Sequence, residues 1–293
     1  MVRNICLMAA PLAIALIAGS AVAEPVIRRQ DSFGGSCVKC ELSGRNMSGA
    51  RIVGANFSGA VMVGTNLRNA KVHASVFSGA DLTKADLSDS AMAGADFSGA
   101  NLTGVRMRSS SANGVSFGAA NLTRADLSDS EATGANFRKA ILVGAILRSA
   151  NLQGADLSRV AASRGVFETA DLTGASMSHG DFSHASFRSS DLSGADMSDS
   201  EFDGADFRNA DLSHTDLRGA DLSNARNLTQ DQLDDACGDP RTRLPRGLSI
   251  RACSSVRFVL RRGPPKPAIR MVPAPAIPPA SRAEPRYVVS LAQ

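Results

Sequence analysis

Large apolar residues stand at every fifth position of the chain from Leu42 to Leu222. In the stretch "SSDLSGADMSDSEFDGADFRNADL" at 189–212 they are Leu192, Met197, Phe202, Phe207 and Leu212. A helix repeats its apolar face every 3.6 residues and a strand every two, so a period of five predicts neither alone. The run holds 37 units without an insertion or deletion, and its only small members are Ala112, Ala132 and Ala162. Two residues before a centre usually stands a small residue, most often Ala, as at Ala50, Ala55, Ala85 and Ala95, with Arg45 before Met47 the clear exception. Positions two apart in a strand share a face, so centre and small residue both point inward. The remaining three positions, rich in Asp, Asn, Ser, Arg and Gly, are left for solvent and turning. Gly54, Gly94, Gly134, Gly174 and Gly204 fall two after a centre, where a corner calls for positive φ or close backbone approach.

The phenylalanines set the number of units in one turn of the coil. Phe57, Phe77, Phe97, Phe117 and Phe137 are spaced by twenty; so are Phe167, Phe187 and Phe207, and so are Phe182 and Phe202. Seven pairs of Phe centres lie twenty apart, where chance placement gives about 2.4; spacings of fifteen and twenty-five give only two and one. Like stacks on like when a parallel solenoid returns to the same side each turn. Four units per turn, and four sides, follow.

Units such as "SGADLTKADLSDS" and "RNADLSHTDLRGADLSNA" resemble the pentapeptide-repeat family, with its pattern A(D/N)LXX, over about residues 42–226. The resemblance implies an all-β fold, a right-handed quadrilateral parallel β-helix. At about 4.8 Å per coil, nine coils make a solenoid roughly 45 Å long.

The two ends of the chain read differently. "MVRNICLMAAPLAIALIAGSAVAEP" has a basic Arg3, an apolar run over Leu7–Ala18, and Ala21-Val22-Ala23 ahead of Glu24. That is the pattern of a secretory signal at 1–23, and no transmembrane span is expected after its cleavage. The mature chain is therefore expected in the periplasm or outside the cell. Export makes Cys37, Cys40, Cys237 and Cys253 disulfide candidates. Residues 24–41 are expected to form an N-terminal cap carrying "CVKC", whose cysteines fall in repeat register and suit a bridge or core better than redox chemistry. Residues 227–253 are expected to cap the other end. There Thr229 and Gln232 fit a capping box opening a short helix, which Pro240 ends. The segment "LTQDQLDDACGD" followed by "LPRGL" is similar to segments that follow pentapeptide repeats in exported bacterial proteins. A Cys237–Cys253 bridge would stabilise by about 3 kcal/mol in the chain-entropy model. From Ser254 to Gln293 the repeat is gone, and "RFVLRRGPPKPAIRMVPAPAIPPASRAEPRY" sets seven Lys/Arg against Glu284 among many prolines. A disordered basic tail is expected, either solvated or held by an anionic envelope surface.

Candidate chemistry is sparse. No acid, base and nucleophile converge, so no catalytic residue, cofactor or metal site is expected and the chain reads as a non-enzyme. His73, His179, His184 and His214 all fall on outward positions. Asp171, Asp191 and Asp211 share one track, and Asp181, Glu201 and Asp221 another. They are either the repeat's ordinary choice before a centre or a ladder bridged by a cation such as Ca²⁺. Arg68, Arg108, Arg148, Arg188 and Arg208 also share a track, a possible interaction face for an anionic partner unless internal duplication alone produced it. The formal charge of +4 calls for no nucleic-acid partner. The sequence thus predicts an exported, non-enzymatic scaffold that presents patterned faces to a protein or an anionic envelope surface, with its oligomeric state left open. The family resemblance supplies the alternative, a DNA-mimicking gyrase binder. The signal, a repeat region of net charge −3 and a basic tail where such proteins have a dimerising helix all disfavour it.

Overall fold

The computed structural model describes residues 32–253. The expected signal at 1–23 and tail at 254–293 lie outside the described residues. From Ser36↔Asn56 to Asp206↔Arg226, each residue that precedes a centre bridges in parallel to the residue twenty positions on. The 190 steps along the chain from Ser36 to Arg226 make about nine and a half turns. Between coils the ladder bonds alternate: Phe57 N–H donates to the Val76 carbonyl at 2.7 Å, and Val76 N–H donates to the Ala55 carbonyl at 2.8 Å. Sides this short leave room for little extended strand. Among the described residues, two-residue strands occur only near the two ends, where β1 (Ser32–Phe33) pairs with β2 (Arg51–Ile52), and β3 (Cys237–Gly238) pairs with β4 (Arg251–Ala252).

The corner explains the five-residue unit. A centre's carbonyl accepts from the N–H three residues on, as Phe57 does from Ala60 at 2.9 Å. The residue two after the centre has φ between +50° and +69° at every corner from Lys39 to Gly219, the pattern of a type II turn. Seventeen of those corners are glycine and twenty are not, so glycine eases the corner without defining it. The side chain just before the centre fixes it instead. Asn56 Oδ1 accepts the Ser58 N–H at 2.9 Å, Asp96 Oδ1 the Ser98 N–H at 2.9 Å and Asp191 Oδ1 the Ser193 N–H at 2.9 Å. This Asx bond satisfies an amide that the ladder leaves free, which is why Asp or Asn recurs there.

The centres form four walls. The first runs from Leu42 and Met62 to Phe202 and Leu222, and the second from Met47 and Leu67 to Phe207. The third runs from Ile52 and Val72 to Leu212, and the fourth from Cys37 and Phe57 to Leu217. Apart from the half-buried Leu42, every centre is at most 5% exposed. The five Phe from Phe57 to Phe137 stack on the fourth wall with ring centroids 4.7–5.5 Å apart and planes within 16°. Beyond Leu157 the aromatic load moves to the other side. Phe167, Phe187 and Phe207 stack on the second wall, Phe182 and Phe202 on the first, and the two ladders meet edge to face across the shared corner. Inward hydroxyls are satisfied as well: Ser75 Oγ donates to the His73 carbonyl, and Ser200 Oγ to the Met177 carbonyl.

One expected boundary shifts. Ser36 and Glu41 already bridge to Asn56 and Val61, so residues 36–41 form the first coil rather than a separate cap. Cys37 is a centre and Cys40 an inward small position, both buried, and the two are joined across the first corner. At the other end the regular spacing breaks. Asp216 pairs with Cys237 and Asp221 with Arg243, spans of 21 and 22 residues. The extra residues accommodate α1 (Gln230–Leu233), a single turn. Gln232 Nε2 donates to the carbonyls of Phe207 and Ala210 at 2.8 and 2.7 Å, and Leu233 and Ala236 are fully buried. The Cys237–Cys253 bond spans sixteen residues beside the paired β3 and β4.

Candidate functional site

With the walls defined, each sequence-predicted residue can be placed. The ten ladder Phe are all core and touch nothing outside. The four cysteines are paired as Cys37–Cys40 and Cys237–Cys253. Asp216 approaches the second pair, but two oxidised sulfurs leave that trio only one ionised ligand, the wrong chemistry for a metal.

The five arginines do share one track on the second wall, each directly after a centre. Four are not free. Arg68 pairs with Asp89 at 2.9 Å, Arg108 with Asp126 at 2.6 Å, Arg148 with Glu168 at 2.7 Å and Arg188 with Asp206 at 2.7 Å. Arg106 on the same wall holds Asp86 at 3.0 Å. Arg208 alone of the five has no ion pair among the described residues. Exposed pairs of this kind add little stability each. Their consequence is that the stripe is an internally neutralised lattice instead of an open cationic face. Glu168, lying in the arginine column itself, was the signal in the sequence.

Asp206 is the most constrained carboxylate of that lattice, only 5% exposed. Burial pushes its pKa up, but bonds from Asn227 Nδ2, Arg188 Nε and the Arg208 N–H outweigh that and hold it below the ordinary 3.8. The acidic track of the third wall is also built into corners. Asp171, Asp191 and Asp211 accept the amides of Thr173, Ser193 and Ser213 through Oδ1. For Asp171, burial raises the pKa, while bonds from Gln153 and Thr173 prevail and lower it. Each carboxylate therefore has a structural task without a cation. The sequence showed the recurrence of Asp and Asn but not the amide they serve.

The third wall differs from the second in its charge. Its outward bridge positions run from exposed Arg51 and Lys71, through Ala91, Ser111, Glu131 and Asn151, to Asp171, Asp191 and Asp211. None of these charged side chains has an ion pair among the described residues. The residues just after its centres, from Val53 to Ser213, include no Asp, Glu, Lys or Arg. Along its corner, Gly94, Gly114, Gly134, Gly154 and Gly174 present no side chain.

Concavities are slight. One open hollow lies between Asp211 and Gln232 near the C-terminal segment, and another beside Ser48 and Arg68. Neither gathers an acid, a base and a nucleophile. Among the described residues no helix is long and apolar enough to cross a membrane.

Comparison with known proteins agrees with this geometry. The family described as pentapeptide repeats matches in eight copies, over residues 36–73, 73–108, 120–159, 150–188, 167–202 and 185–226. Among solved structures, the chain is similar to HetL, a pentapeptide repeat protein involved in heterocyst differentiation regulation from the cyanobacterium Nostoc sp. strain PCC 7120. The identity is 26% and the TM-score 0.60, over 76% of this chain and 94% of HetL. A more distant likeness is to trypsin-treated QnrB1, a plasmid-mediated fluoroquinolone resistance protein. There the identity is 19% and the TM-score 0.31, over 61% of this chain and 89% of that one. By sequence, no curated protein matches the chain. The family match and the likeness to HetL identify the coil as a right-handed quadrilateral β-helix.

Proposed function

Because the chain belongs to the pentapeptide-repeat family, we propose that it works as an exported, non-enzymatic interaction scaffold. The observation that carries this reading is the disposition of its polar groups. Arginines are tied into carboxylates along the second wall, carboxylates are tied into corner amides, and the hollows hold no convergent reactive set. What remains to act is surface: long walls whose side chains are held in fixed rows. Such walls suit recognition by shape and charge rather than catalysis. Residues 227–253 serve as the end cap that keeps the last coil's edge from pairing with another chain. The signal pattern at 1–23 supports export to the periplasm or beyond, where both cysteine pairs would stay oxidised. The partner is a protein or an anionic envelope surface, the latter engaged through the basic segment 254–293.

The test separates these parts. N-terminal sequencing of the protein from fractionated cells is expected to begin at Glu24 in the periplasm or medium; an uncut chain in the cytoplasm would end the export reading. A photo-crosslinker placed in turn at exposed positions of each wall is expected to give a reproducible adduct with another protein in the native envelope from one wall only. Indifferent labelling from all four would leave the scaffold without a recognition face.

A further inference from the structure

The third wall is charge-segregated along its length, so two copies of it laid antiparallel are complementary in charge. We propose that two copies of this chain associate through their third walls as an antiparallel dimer. The basic end, Arg51 and Lys71, of each copy would face the acidic end of the other. Bridge positions on one track are twenty residues apart, so an antiparallel partner pairs positions whose numbers have a constant sum. With the two-fold axis at Glu131, Arg51 opposes Asp211 and Lys71 opposes Asp191, each pair occurring twice. Displaced by one coil, Arg51 opposes Asp191 and Lys71 opposes Asp171, and Glu131 meets Ser111 instead of its own copy. Like charges facing each other repel, which favours the displaced register. A two-fold interface of this kind is self-closing and stops at the dimer.

Three features of the wall fit that occupant better than another. Its cations and anions have no ion pairs among the described residues, whereas the second wall neutralises its own. Apart from Glu131, the bridge positions of its middle are short and uncharged, with Ala91, Ser111 and Asn151 outward, so two copies can approach closely. The glycines of its corner leave an edge without side chains to hold the surfaces apart. The wall is narrow, however. Nine coils at about 4.8 Å by roughly 12 Å of width offer about 500 Å² per partner, below the about 800 Å² of a standard interface. The dimer is therefore weak, and its charge pairs at the surface make it salt-sensitive.

The intact chain is to be examined by sedimentation equilibrium at about 0.05 M and 0.5 M salt; the dimer is expected at the lower, with at least about tenfold weaker association at the higher. Two variants remove one end each: Arg51→Ser with Lys71→Ser, and Asp171→Asn with Asp191→Asn and Asp211→Asn. The asparagines retain the acceptor for the corner amide, as Asn101 does for Thr103, so the fold survives while the charge is lost. Both variants are expected to be monomers at low salt that still melt cooperatively as folded chains. Zero-length carbodiimide crosslinking supplies the geometry. Lys71 lies six coils from Asp191 and five from Asp171, at least about 24 Å away within one chain, so a Lys71 link to either must join two copies. A monomer at low salt, association that survives both variants, or links from these aspartates to Lys266 instead of Lys71 would each overturn the proposal. The last would give the acidic track to the chain's own C-terminal segment.

Discussion

At the scale of the residue, the aspartate ahead of each centre is the most informative side chain. Burial raises the pKa of Asp86, but bonds from Ser88 and Arg106 prevail and hold it low; in Asp211 the bonds from Ser213 act first and in the same direction. Asp206 and Asp216 are also lowered against their burial, by Asn227 and Arg188 in one case and Arg218 in the other. A carboxyl whose folded pKa lies below its unfolded value binds fewer protons folded than unfolded. Its contribution is complete above about pH 4 and disappears as pH falls through the lowered values. The melting temperature is thus expected to be level from about pH 5 to 7 and to fall below about pH 4. Replacing these four residues by Asn should flatten the acid limb in a pH series of thermal melts. Replacing Asp86 by Ala orphans the Ser88 amide and should cost about 1–2 kcal/mol in urea unfolding, more than Asn does. The recurrence of Asp and Asn was legible in the sequence, because a period displays itself. Its cause was not. A corner amide without a ladder partner becomes visible only when the backbone's bonds are followed one by one.

At the scale of the coil, packing is decided between neighbouring units. Each Ala centre is followed five residues on by Phe: Ala112 by Phe117, Ala132 by Phe137 and Ala162 by Phe167. All six are fully buried, so small centres accompany large ones instead of opening a dent in the surface. Glycines at the inward position answer the same need. A Cβ at Gly180 would sit 2.5 Å from Phe182 Cε2 and 3.1 Å from the Met177 carbonyl oxygen, although φ there is not in the left-handed region. Gly180→Ala must therefore turn the Phe182 ring, which is stacked on Phe202 at 5.4 Å and edge-on to Phe167. A loss of about 1–3 kcal/mol is expected by chemical denaturation. Phe97→Ala, in the middle of the longer ladder, removes a ring from between two others and should cost about 3–5 kcal/mol. The ladders were legible because identical rings at spacing twenty leave a statistical trace. The ion pairs of the second wall were less so. A track gives the order of side chains along a wall, but whether Arg148 reaches Glu168 or solvent depends on rotamers that no period encodes. The start of the first coil was misplaced for another reason: Cys37 and Cys40 obey the register but not the usual residue types.

At the scale of the molecule, a solenoid is held by contacts between successive coils, so its stability is distributed and its ends are the places where it opens. The described ends are unequal. At the N-terminal one, Cys37 and Cys40 close a very short loop inside the first coil. At the C-terminal one, Gln232 holds two carbonyls of the last coils, Leu233 and Ala236 fill the core behind it, and Cys237–Cys253 ties the covering segment together. Cutting that tie by Cys237→Ser with Cys253→Ser releases a loop of about sixteen residues and should cost about 3 kcal/mol. The distribution of the loss is more telling than its size. If coils unfold as neighbours in a row, amide exchange in the variant should quicken first around Leu217 and Leu222 and spread toward Phe207, while the amides of Phe77, Phe97 and Phe117 stay as protected as before. Exchange that quickens by the same factor from Phe57 to Leu222 would instead mean that all the coils open as one unit. The continuous Phe stack stops at Phe137, and the next aromatic ladder begins on other walls at Phe167. That interruption is where an opening begun at the C-terminal end is expected to halt.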